Sequence, residues 1–123
     1  MISILVDEAY AFDFLAILQI KSDLDFENKI KKFNFMKCYD HLKSQIGEKL
    51  FSAIFHSLEY KECYDANFET FKAVDLAKTD AVPASYVDNC NYKRHLAKQK
   101  IQKKFFNEDL SEVKIGYEQY MEK

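Results

Sequence analysis

Apolar residues recur at helical spacing along nearly the whole chain, and polar turns interrupt them rarely. From about Ser3 to Lys21, Leu5, Ala9, Phe12, Leu15 and Ala16 trace one stripe, and Phe14, Ile17, Leu18 and Ile20 widen it. A helix apolar on most sides belongs at the centre of a fold or at an interface. Its charges before Lys21 are Asp7, Glu8 and Asp13, and the acids at its start complement the helix dipole. Ser22-Asp23-Leu24-Asp25 reads as a capping-type break. A second helix is predicted from near Asp25, with two stripes displaced around its axis: Phe26, Ile30 and Phe33, then Phe35, Tyr39, Leu42 and Ile46. A kink near Asn34 would accommodate the displacement.

The strongest pattern follows from His41. Leu42, Ile46, Leu50, Ile54 and Leu58 step at i, i+4, flanked by Phe51 and Phe55, which predicts one amphipathic helix. Gly47 lies inside it. A mid-helix glycine costs roughly 1 kcal/mol against alanine, so a closely approaching neighbour is expected there. Phe68, Phe71 and Val74 carry the period from Asp65 to Lys78. Lys78 to Pro83 is the clearest break. Pro83 suits the first turn of a new helix, and Ser85 with Asp88 resembles a capping box. A long helix then runs to about Phe106, and Asp109-x-x-Glu112 opens a last one ending near Tyr120.

Composition sharpens this picture. The 123 residues include only 2 Gly and 1 Pro, whereas a β-fold of this size needs turn residues every 8–12 positions or so. The expected fold is therefore all-α: a single domain over residues 1–123, a bundle of about five or six helices with mostly antiparallel neighbours. Hydrophobic residues make up 48% of the chain, including 11 Phe and 8 Tyr, enough to bury a core and disfavour disorder. The net charge of −2 creates no general attraction for nucleic acid. Cys38, Cys63 and Cys90 match no zinc spacing and read as small buried hydrophobes in a reducing, cytoplasmic setting. Met1 to Val6 lacks a basic leader and a cleavage site, so no secretory signal is expected there. No run approaches the ~18 apolar residues of a membrane span, and no membrane partner is expected.

Candidate chemistry concentrates in the helix after Pro83. Between Asn89 and Asn107 stand Lys93, Arg94, Lys98, Lys100, Lys103 and Lys104, with His95 and no acid. A phosphate backbone could follow such a stripe, but a solvated helix face or an acidic protein patch accounts for it more simply. Tyr92, Phe105 and Phe106 do not interleave with the basic residues as a stacking platform would. Arg94 is the sole arginine beside 17 lysines. Asn91, Arg94 and Lys98 share one helix face, bordered by Asp88 and His95. Arginine supplies a planar fork for a carboxylate or phosphate that lysine cannot. The first expectation is a bidentate pair with an acid on a neighbouring helix, with Asn67 as a polar core partner. The second is a small-anion site formed by Asn91, Arg94 and Lys98. His56, Glu59 and Cys63, at i, i+3 and i+7, could converge on a soft metal, but no fourth ligand is visible, so neither a metal nor a cofactor is expected.

No catalytic motif appears: there is no Gly-rich phosphate loop and no nucleophile elbow. These readings converge on a helical protein-interaction or structural module without catalytic activity. Its expected partner is a second copy or another protein, and a homodimer would meet through Val6 to Ile20 or adjoining aromatic residues. The alternative is an anionic-ligand protein or enzyme using Asn91, Arg94 and Lys98. Nucleic-acid binding along residues 93–104 ranks last.

Overall fold

Side-chain caps fix where three of the helices start, and they move several expected boundaries. The computed structural model describes residues 1–106, and among them lie five α-helices and no strand. The first, α1 (Glu8–Leu24), begins later than Ser3 because Asp7 is its N-cap: the carboxylate accepts the Tyr10 N–H at 2.8 Å. Asp25 ends α1 instead of starting α2. Asn28 caps α2 (Lys29–Ile46) by accepting the N–H groups of Ile30 and Lys31 at 3.0 and 3.1 Å. The helix runs through Asn34 without interruption.

The long predicted helix from His41 to Leu58 is instead divided twice. Gly47 has φ +94°, which ends α2 and begins α3 (Glu48–Phe55). Its role is this backbone angle, which residues with a Cβ rarely adopt, and not a close approach, since no atom lies within 4 Å of where a Cβ would stand. Ser57 makes the second break. Its hydroxyl accepts the Tyr60 N–H at 3.1 Å and donates to the Ile54 carbonyl at 2.6 Å, capping α4 (Leu58–Lys78). Helix α4 absorbs the segment from Asp65 to Lys78. The break from Lys78 to Pro83 is present, with Asp80 at φ +58°. The Ser85–Asp88 capping box does not form: Pro83 is the N-cap of α5 (Ala84–Phe105), and no side chain caps that helix. The helix expected from Asp109 to Tyr120 lies outside the described residues.

The all-α bundle centres on α1, which packs against α2, α4 and α5. Its apolar breadth serves this central position. Phe12, Leu15 and Ala16 of α1 meet Leu42, Phe51, Ile54, Tyr60, Cys63, Ala97 and Ile101 in one core. Phe51 is its aromatic hub, with its ring centroid 5.8 Å from Phe12 and 4.6 Å from Tyr39. Side-chain pairs give the helix directions. Glu59, Glu62 and Glu69 ascend α4 as Lys104, Lys100 and Lys93 descend α5, so these neighbours are antiparallel. Helix α1 also runs antiparallel to α5, since Ala9 meets Gln102 and Asp13 meets Arg94.

Candidate functional site

Burying a carboxylate requires partners for its charge and for both oxygens. Asp13, on the inner face of α1, is 5% exposed and has them. Arg94 of α5 donates from Nη2 to Oδ2 at 2.9 Å and from Nε to Oδ1 at 3.3 Å. Asn67 of α4 donates from Nδ2 to Oδ1 at 2.8 Å and to the Cys63 carbonyl at 2.9 Å. The Cys63 thiol approaches the same Oδ1 at 3.7 Å. Three helices thus converge on one carboxylate, and two parallel bonds from Arg94 tie α1 to α5. A lysine could supply the charge but not the fork.

The cluster is poorly suited to nucleophilic chemistry. Burial, reinforced by the Asp13 charge, pushes the Cys63 thiol well above its ordinary range. Only a thiolate is a competent nucleophile. Desolvation raises Cys38 and Cys90 as well.

Each member of the expected ligand trio has a neighbour within the fold. Arg94 holds Asp13. Asn91 donates to the Val87 carbonyl of its own helix at 3.3 Å, and the Lys98 ammonium lies 5.2 Å from the Tyr10 ring centroid. A second polar tie was missed in the sequence. Gln102, 2% exposed, accepts the Ala9 N–H at 2.8 Å and donates to Glu8 at 3.0 Å, binding the start of α1 to the end of α5. Gln102 stands among Lys98, Gln99, Lys103 and Lys104, and it reads as an ordinary surface residue until the register of α1 is known.

Three lysines of the α5 basic stripe are answered by acids of α4. Lys93 pairs with Glu69 at 3.6 Å, Lys100 with Glu62 at 3.7 Å and Lys104 with Glu59 at 3.0 Å. The Lys104 hydrogen bond leads the causes that hold the Glu59 carboxyl below its ordinary range.

The proposed metal triad is separated. His56 is the C-cap of α3, whereas Glu59 and Cys63 belong to α4. Glu59 turns to Lys104 and Cys63 to Asp13. Among the described residues no group of three potential ligands is placed to hold a metal ion.

A cleft of ≈ 510 Å³ opens between α1 and the α3–α4 junction, lined in part by Gln19, Asp23, Phe55, His56, Tyr60 and Tyr64. Its polar groups largely satisfy each other. Tyr64 donates to Asp23 at 2.6 Å and Tyr60 to Gln19 at 2.8 Å. Desolvation pushes both phenols above their ordinary range, so they remain hydrogen-bond donors.

The outer face of α2 is different. Ile30 and Phe33 are 72% and 63% exposed, and Phe26, in the turn before α2, is 76% exposed. Two residues span roughly 200° of helical rotation, so Phe33 and Phe35 point to opposite sides. Phe35, Tyr39 and Ile46 pack on the core, which leaves the other stripe outside. The two displaced stripes therefore need no kink: one builds the fold and the other does not. Lys29, Lys32 and Lys37 flank the outer stripe and are exposed. Lys37 Nζ lies 6.0 Å from the Phe33 ring centroid.

No helix among the described residues is long and apolar enough to cross a membrane. Compared with family models, curated proteins and solved structures, the chain finds no match.

Proposed function

We propose that this chain is a non-catalytic helical protein-interaction module and that it docks a partner on the outer face of α2. The observation that supports this most directly is the exposure of Ile30 and Phe33 on α2, with Phe26 exposed in the turn before the helix. Ile30 and Phe33, at i and i+3, have an anchor spacing by which helices recognise one another. Large apolar side chains standing together in water add nothing to the fold, and contiguous apolar patches mark interaction sites. The polar cluster around Asp13, by contrast, is occupied in holding helices together.

Replacing Ile30 and Phe33 together by Glu tests the reading. The expected result is unchanged thermal stability, to within about 0.5 kcal/mol per site, as for surface positions free of packing, together with loss of binding to helical peptides that carry a leucine stripe. A large loss of stability would show that these residues serve the fold.

A second reading concerns α1, where Tyr10 and Phe14 remain 48% and 50% exposed. They are the part of the Val6–Ile20 surplus through which two copies would meet as a homodimer. Light scattering at tens of micromolar should then report twice the monomer mass, and a monomer mass would remove this reading.

A further inference from the structure

We infer that the partner of the α2 face is an acidic amphipathic helix of another protein. This rests on the docking role proposed for α2 and adds the chemistry of what docks. Between Phe26 and Lys37 the chain carries Lys29, Lys31, Lys32 and Lys37 against the single acid Glu27. Lys31 is bound to Asp25 at 3.2 Å. Among the described residues, no carboxylate stands within ion-pair distance of Lys29, Lys32 or Lys37.

The contrast with α5 gives this weight. There, Lys93, Lys100 and Lys104 each meet a glutamate of α4. Three lysines of α5 are thus paired where α4 covers them, whereas among the described residues none of Lys29, Lys32 and Lys37 is paired beside the uncovered Ile30 and Phe33. Both deficits fall on the same two turns. One partner helix would relieve both if it had apolar residues along its centre and acids on its flanks. A second copy would not: pairing α2 with itself sets lysine against lysine, and juxtaposed like charges disfavour a partner. An anionic lipid surface fits less well. The apolar line ends at Phe33 and continues as Lys37, His41 and Ser44, too short for an interfacial anchor, which relies on extended buried apolar area.

Three synthetic helical peptides about 18 residues long test this. They share a leucine stripe at i, i+4 and i+7 and differ only in flanking Glu, Gln or Lys. Each is titrated into the isotope-labelled full chain while amide shifts are followed. The Glu peptide should shift the amides of residues 26–37 and bind about tenfold tighter than the Gln peptide, from three exposed charge pairs of ordinary strength. That advantage should shrink in about 0.5 M salt. The Lys29→Glu/Lys32→Glu/Lys37→Glu variant, altered only at exposed positions, should prefer the Lys peptide instead. Equal binding of the Glu and Gln peptides would overturn the acidic partner and leave docking on α2 standing. No binding by any peptide would overturn both. Sedimentation with phosphatidylcholine–phosphatidylserine vesicles, lost on Phe33→Glu and without peptide binding, would reassign the face to lipid and overturn the inference.

Discussion

Replacing Arg94 by Lys separates a structural fork from a ligand-binding charge. Asp13 has 7% of its side chain exposed and Arg94 33%. Removing one member of a buried pair costs roughly 3–5 kcal/mol. Arg94 is one-third open to water, which places Arg94→Ala near the lower end, at about 3 kcal/mol. The remaining Asp13 would keep Asn67 as a donor but lose both bonds to the guanidinium. Arg94→Lys retains the charge and loses one of two parallel charge-assisted bonds, a loss of about 1.5 kcal/mol. For a chain of this size about 1 kcal/mol corresponds to roughly 4 °C in Tm. Melting should therefore fall by about 6 °C in Arg94→Lys and about 12 °C in Arg94→Ala.

A double-mutant cycle with Asp13→Ala isolates the pair. The coupling should lie at about 1–3 kcal/mol, as for residues in one network. The melts are repeated with phosphates and small carboxylates. No ligand-dependent shift is expected, because the fork already holds a carboxylate. An unchanged Tm in Arg94→Lys, near-zero coupling to Asp13 and an anion-dependent shift confined to the wild type would refute this reasoning. It would make Asn91, Arg94 and Lys98 a binding site.

Two further predictions follow from local geometry. Gly47→Ala should destabilise by about 1–3 kcal/mol, the cost of holding a residue with a Cβ in a glycine-type backbone region, and denaturant titration showing a gain of stability would instead support a continuous helix. Stability should decline above about pH 9: the folded chain keeps protons on Cys63 and Tyr60 that the unfolded chain releases from ordinary values of 9.0 and 10.0, so the unfolded state binds fewer protons as pH rises. Melts under reducing conditions from neutral pH to about 10.5 check this, and a flat profile would refute it.

Period and composition made the helical class legible, since 3.6-residue spacing with almost no Gly or Pro leaves little alternative. Breaks that depend on one residue's backbone were harder to read. Gly47 sits inside a stripe that remains apolar on both sides, and periodicity carries no record of φ. Ser57 was hidden for the same reason, because Ile54 and Leu58 keep their spacing across the cap. Arg94 was legible as a residue that needed a planar partner, since it is the single exception to lysine usage. The identity of that partner was not. Asp13 lies 81 positions away, and only the packing of α1 against α5 brings them together.

The two stripes of α2 show how a pattern can be read correctly and its meaning still be undecided. Phe26, Ile30 and Phe33 are as regular as Phe35, Tyr39 and Leu42, and either set could have faced the core. The decision falls to the neighbours. The stripe at Phe35, Tyr39 and Leu42 is continued by Ile46 and adjoins the Phe51 hub, so burying it extends one aromatic cluster across α2, α3 and α4. The outer stripe has no such continuation, and Lys37 follows Phe33 where a further apolar residue would stand. Rotating α2 to bury it would bring Lys29, Lys32 and Lys37 toward a core whose buried charge at Asp13 is already matched. Burying an unmatched charge costs far more than exposing a phenylalanine. The lysines thus oppose burial of Ile30 and Phe33, and under the docking role proposed for α2 they set the charge that a partner would have to bring.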